Sequence, residues 1–274
     1  MGHPEPRGFS RRLVERLLST TDNRCSVNRR IDAFSRQLLE RPYKTNPLIG
    51  SAERDEIFTA ALDGFDCVTY IETVLALACA SNPDEFVRWL RTVRYRNGIV
   101  RWECRNHYMT FWIKNNSREQ ILEPVSAPEI PVLSRDRVLN LVPGLGASRA
   151  RVKCVPKRAI GKLSLHLRTG DLIFFVSTRR NLDVFHAGII VRDGEQTRLR
   201  HASRSQGRVV EQELSGFLKS NRMAGVVVVR PRSPVRAAAM QNHGGERLSV
   251  PRLFDGVRRG AARRPVGREY RLSR

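Results

Sequence analysis

Cys67, His186 and His201 are the side chains of this sequence best suited to covalent chemistry. In FDCVTYIETVLALACA, residues 65–80, apolar residues at 68, 71, 74, 75, 77 and 78 predict a buried helix with Asp66 in the N-cap position. Cys67 then falls in the first helical turn, where free N–H groups and the helix dipole favour negative charge and lower a thiol pKa. A thiol placed there becomes a nucleophile when an imidazole carries its proton and a third polar group orients that imidazole. An isolated cysteine is more often a small apolar filler. Cys79, at the far end of the same helix, is read that way, and Cys67 gains weight from its partners.

Those partners come from the second half of the chain. His186 opens the segment HAGIIV and His201 closes RLRHAS. A hairpin turning at Asp193-Gly194 sets positions 186 and 201 opposite each other, with both side chains on one side of the sheet. One strand histidine is explained as well by an ordinary hydrogen bond, but two opposed ones are harder to account for that way. His107 stands in CRNHY beside Arg105. Cys104 and His107 have no second pair at ligand spacing, so no metal site is expected and no cofactor either. A substrate-binding or scaffold role suits Arg105 and His107 better. His3 and His243 fall in ends expected to be disordered, and His166, just before Gly170, is expected at the surface.

The 274 residues, 41% of them hydrophobic, suffice for one large domain with a real core. Lys and Arg number 49 against 27 Asp and Glu, a formal charge of +22. Such a field attracts polyanions, including nucleic acid and acidic polymers. No recognition-helix or RNA-binding signature accompanies it, so specific nucleic-acid binding is not expected. Five scattered cysteines without a CxxC argue against a disulfide framework or a structural zinc. No apolar run reaches transmembrane length, and the N-terminus lacks a signal-peptide core. As written, the sequence predicts a soluble, cytoplasmic protein.

These residues need elements to hold them. Spaced apolar residues from Phe9 to Leu39 predict two amphipathic helices broken near Thr20–Asn23. A short helix over Asp55–Leu62, another from Pro83 to Leu90 and an aromatic one within 105–116 follow, with a short strand after Gly98. Residues 120–165, with Pro124, Pro128, Pro131 and Pro143, read as loop-rich. From Gly170, DLIFFVS, HAGIIVR, RLRHAS, RVVEQ and GVVVVRP predict an antiparallel sheet after a helical half, an α+β pattern. Residues 233–274 are rich in Arg, Gly and Pro and read as a basic, disordered tail. The divisions expected are a helical extension over 1–40, a domain over 41–232, and that tail.

FDCVT at 65–69, GDLIFF at 170–175, HAGIIV at 186–191 and HAS at 201–203 resemble the NlpC-type branch of the papain-like cysteine hydrolases. RYRNG at 94–98 and RNHY at 105–108 resemble, within it, the N-acetylmuramoyl-L-alanine amidase-like family of bacteria. The resemblance runs from about Pro42 to Pro231. It implies a papain-like fold, with the cysteine at a helix start packed on a small antiparallel sheet. It implies Cys67 as nucleophile, His186 as base and His201 as the orienting third member. Tyr43, in PYKTNP, takes the place of a tyrosine near the thiol. Asp66, Arg105 and His107 join Tyr43 in the expected substrate-binding set. The implied substrate is peptidoglycan or a muropeptide, cut between muramic acid and L-alanine. The alternative is an amide within the peptide stem, such as γ-D-Glu to diaminopimelate. That substrate places the protein in the cell envelope or outside, against its missing export signal. A basic nucleic-acid-binding protein and a non-catalytic wall-binding relative are the readings from other classes.

Overall fold

Continuous apolar runs in the central strands, such as Leu172–Val176 and Gly225–Val229, decide this architecture, because they give the sheet two faces that both need covering. The computed structural model describes residues 5–233. The tail from 234 onward, His3 and His243 lie outside them. Seven helices are described: α1 (Arg11–Ser19), α2 (Val27–Gln37), α3 (Cys67–Cys79), α4 (Pro83–Arg94), α5 (Met109–Arg118), α6 (Ile160–Ser164) and α7 (Leu214–Ser220). Eight strands are described: β1 (Leu122–Pro124), β2 (Leu133–Leu139), β3 (Ser148–Pro156), β4 (Leu172–Val176), β5 (Val184–Asp193), β6 (Gln196–Ser203), β7 (Arg208–Glu213) and β8 (Gly225–Pro231). They form one sheet in the order β2-β3-β8-β4-β5-β6-β7, with β1 on β8, and every pairing is antiparallel. The architecture is α+β.

In β4, Leu172, Phe174 and Val176 enter the main core, whereas Ile173 and Phe175 enter a second one. The main core joins this face to α1 through α5. The second is closed by Ile160 and Leu163 of α6 and by Leu214 and Phe217 of α7. Val14, Leu17, Ile31, Phe34 and Leu38, all before residue 41, sit in the main core with α3, so the first two helices belong to the same body as the sheet.

Several local expectations fail for physical reasons. Asp55–Leu62 is not a helix. Ile57 bridges to Ile49 and Thr59 to Arg7, so long-range extended pairing of β-branched residues overrides a weak helical preference. The strand expected after Gly98 is replaced by 3-10 turns at Arg96–Gly98 and Trp102–Cys104. Asn97 and Gly98 there adopt positive φ, which breaks an extended run. Residues 120–165 contain three strands and α6 rather than mainly loop, and they enlarge a sheet expected to be small. The hairpin between β5 and β6 also turns one residue later than expected. Asp193 pairs with Gln196, so Gly194 and Glu195 are the loop residues, with Gly194 taking the positive φ of the first loop position.

Candidate active site

α3 begins where its sequence predicts. Asp66 accepts hydrogen bonds from the N–H groups of Val68 (3.0 Å) and Thr69 (2.7 Å), while the Thr69 hydroxyl takes the Asp66 N–H (3.0 Å). This reciprocal cap fixes Cys67 as the first residue of the helix. Asp66, expected in the substrate-binding set, is thus occupied as the cap. The helix is anchored further in by Glu72, which accepts from Arg94 Nε of α4 (2.7 Å) and from Trp112 Nε1 of α5 (3.2 Å). Both members of that ion pair are buried.

The Cys67 thiol faces the backbone N–H of Ala187, the residue after His186, together with its own N–H and that of Val68. α3 packs across β5 and β6 to bring it there. Burial, with the neighbouring Asp66 carboxylate, pushes the thiol up to about 12. The sequence pointed the other way, towards a depressed pKa at a helix N-terminus. Desolvation and the negative cap outweigh the three N–H groups, so the resting side chain is a neutral thiol.

His186 Nε2 lies 2.7 Å from His201 Nδ1, with the rings edge to face. The opposition expected at 186 and 201 is corrected by the register. Ile189 stands opposite Arg200, so His186 lies two residues beyond the partner of His201. An offset of two preserves the face, and the rings meet on the diagonal. Phe217 of α7 packs on both imidazoles, its ring centre 5.3 Å from that of His186 and 5.4 Å from that of His201. Phe175 stacks on His186 at 6.1 Å. This apolar box, with His201 alongside, pushes His186 down to about 3, and burial pushes His201 down to about 4. Both imidazoles are neutral at neutral pH. No hydrogen bond joins the thiol to His186, whose Nδ1 is left free by the Nε2 contact.

Tyr43 belongs to the same neighbourhood. Its N–H donates to the Gly207 carbonyl, its backbone bridges to Phe65, and burial, then its proximity to Cys67 and Asp66, raises its phenol pKa. Arg105 and His107 sit in a different cluster. Arg105 Nε donates to Glu56 (2.9 Å), which also accepts from Tyr95 (2.6 Å). His107 Nε2 contacts the Trp102 carbonyl (2.8 Å), and burial lowers its pKa. His166 is paired with Glu129.

Sequence reasoning missed Gln212 on β7, whose Nε2 lies 3.1 Å from His201 Nε2. Leu199 pairs with Gln212, and this hairpin register was the signal available. It also missed Arg200, which faces away from the histidines. Arg200 donates to Glu211 (Nε, 2.9 Å), Asp32 (3.1 Å) and Ser35 (2.6 Å), joining β6 to β7 and α2. A separate open cleft of about 1000 Å³ is lined by Arg135, Arg137, Arg149, Arg151 and Arg180 beside Asp136, and includes none of the residues around the thiol. Among the described residues, no cluster of three metal-ligating side chains occurs, and no helix is long and apolar enough to cross a membrane.

A family model described as AmiA-like, N-acetylmuramoyl-L-alanine amidase-like, matches residues 33–226. A comparison with curated protein sequences returned no match. Among solved structures, a Legionella pneumophila protein aligns at TM-score 0.72 and 21% identity, over 82% of this chain and 96% of that one. Two structures of an N-acetylmuramoyl-L-alanine amidase from Bacteroides uniformis align at TM-scores 0.66 and 0.67, with 23% and 25% identity. Each alignment covers 76% of this chain and 99% of the other.

Proposed function

The chain belongs to the AmiA-like, N-acetylmuramoyl-L-alanine amidase-like family, and from that premise we propose that it hydrolyses an amide of peptidoglycan fragments with Cys67 as nucleophile. The observation that supports this most is the contact of the Cys67 thiol, at the start of α3, with the backbone N–H of Ala187, the residue after His186. The cysteine starts α3 against Ala187, next to a His186 whose Nε2 is engaged by His201 at 2.7 Å. In this reading the organisation is papain-like, of the NlpC type. His186 is the base, His201 orients it, and Tyr43 lines the approach to the thiol.

The protonation states shape the mechanism. A neutral thiol and a neutral imidazole do not form a resting ion pair, so in this mechanism the proton moves to His186 Nδ1 as sulfur attacks the carbonyl carbon. The substrate closes the gap between thiol and ring, since catalytic hydrogen bonds often tighten only in the complex. The Cys67 N–H, not taken up by the Asp66 cap, suits the developing oxyanion, a contact typically worth ~3 kcal/mol. His186 then protonates the leaving amine, and water releases the acyl group from sulfur.

Mass spectrometry of defined muropeptides incubated with wild type and Cys67→Ala tests this. Release of an intact peptide stem by wild type alone supports the amidase. Cleavage inside the stem retains the cysteine but makes the enzyme an endopeptidase. Equal turnover by the variant would remove Cys67 from the chemistry.

A further inference from the structure

The reading of His186 as a base demands a particular tautomer. To receive the thiol proton, His186 must carry its hydrogen on Nε2 and keep a lone pair on Nδ1. Nε2–H then donates to His201 Nδ1, which lies 2.7 Å away. His201 must therefore carry its own hydrogen on Nε2, and that hydrogen needs an acceptor. The side chain that meets His201 Nε2 is Gln212, at 3.1 Å.

An amide can serve this point in two ways, because half a turn about its last bond exchanges Nε2 for Oε1. With Oε1 inward, Gln212 accepts from His201, which accepts from His186, and the lone pair on Nδ1 is free. With Nε2 inward, every bond in the chain reverses: Gln212 donates to His201, His201 donates to His186, and His186 Nδ1 carries a hydrogen. The second arrangement cannot take a proton from sulfur.

Resting on the cysteine reading above, we propose that Gln212 is a positioning residue that selects the base-competent tautomer of His186 by turning its carbonyl oxygen to His201. The relay runs from β7 through β6 to β5, across strands whose registers are fixed by backbone pairing. The apolar box of Phe175 and Phe217 narrows the choice, leaving Gln212 and the Ala202 backbone as the polar partners of His201 besides His186.

Histidine nitrogen chemical shifts of the resting protein, labelled with 15N, test this without turnover. The expected result is hydrogen on Nε2 and a bare Nδ1 at both His186 and His201. Hydrogen on Nδ1 of His186 in the wild type would overturn the proposal. Gln212→Glu keeps an acceptor and should hold kcat within about threefold of wild type. Gln212→Met removes it and should lower kcat ~10–100-fold with KM little changed, the range seen when an orienting partner is lost. Both variants should remain folded with the wild-type circular dichroism spectrum, and His186 of Gln212→Met should show mixed tautomers. A Gln212→Met enzyme with wild-type kcat and an unmixed His186 would sink the idea. Turnover by Cys67→Ala would instead remove the cysteine reading, while the tautomer measurement judges Gln212 independently.

Discussion

His186 and His201 meet on a diagonal across two strands, with Nε2 and Nδ1 2.7 Å apart, while Ile189 is the residue paired with Arg200. Gly188 makes that approach feasible. A methyl group there would lie 2.6 Å from Leu199 Cδ1, 3.0 Å from the Arg200 carbonyl and 3.1 Å from His201 Cβ. Gly188→Ala should therefore push β6 away beneath the histidine pair and lower kcat by at least ~10-fold, with an overpacking cost of ~1–3 kcal/mol. Steady-state kinetics and urea unfolding check both numbers. Wild-type kcat in a destabilised variant would show that the two-histidine contact is dispensable.

Cys67 should react slowly with iodoacetamide at neutral pH, despite its position at a helix start. Its thiol is pushed up to about 12, so the thiolate fraction at pH 7 is minute, and the alkylation rate should keep rising above pH 9. Site-resolved mass spectrometry separates it from Cys25, the other cysteine that is not fully buried. Rapid labelling of Cys67 at pH 6 would show a preformed thiolate.

The activity profile should be broad. His186, pushed down to about 3 by its apolar box and by His201, remains an available base far below the ordinary imidazole range. The acid limb of kcat/KM is expected below about pH 5. A limb between pH 6 and 7 would mean that the imidazole ring is solvated in the working enzyme.

Stability should follow the same groups with opposite windows. His186 and His201 have folded values below the unfolded imidazole value of 6.5. Their contribution is complete above that value and is lost as pH falls towards 4 and 3, because the unfolded chain binds the protons first. Cys67 is raised from 9.0, so its contribution is complete below pH 9 and is lost as pH climbs towards 12. Urea midpoints of wild type and His186→Phe across acid pH would show a flatter curve in the variant. Parallel curves would refute the linkage.

Glu72→Ala should cost ~3–5 kcal/mol by leaving the Arg94 guanidinium buried without its partner. Equilibrium unfolding measures this. A loss below about 1 kcal/mol would mean that water reaches the pair.

The parts of this molecule legible in its sequence are those where one period dominates. The cap Asp66, the helix from Cys67 and the five strands after Gly170 follow from local patterning, and they coincide with α3 and β4 to β8. Segments shaped by distant partners were not legible. Ile57 and Thr59 are extended because Ile49 and Arg7 pair with them, and β2 is a charged, mostly exposed strand with little apolar alternation. At the site, residue types pointed to a cysteine and two histidines. The neutral thiol was hidden, because burial is a property of the packed chain rather than of the first helical turn.

Arg200 gives the sheet a means of checking its own assembly. It adjoins His201 but points to the opposite face, where Asp32, Ser35 and Glu211 receive it. A one-residue slip of β6 exchanges the two faces. The guanidinium would then be driven among Phe175 and Phe217, without a counter-ion, while an imidazole met the carboxylates. The slipped register is disfavoured by leaving that charge buried and unpaired. The strand thus carries, one position from His201, a guanidinium whose carboxylate partners hold only in this register.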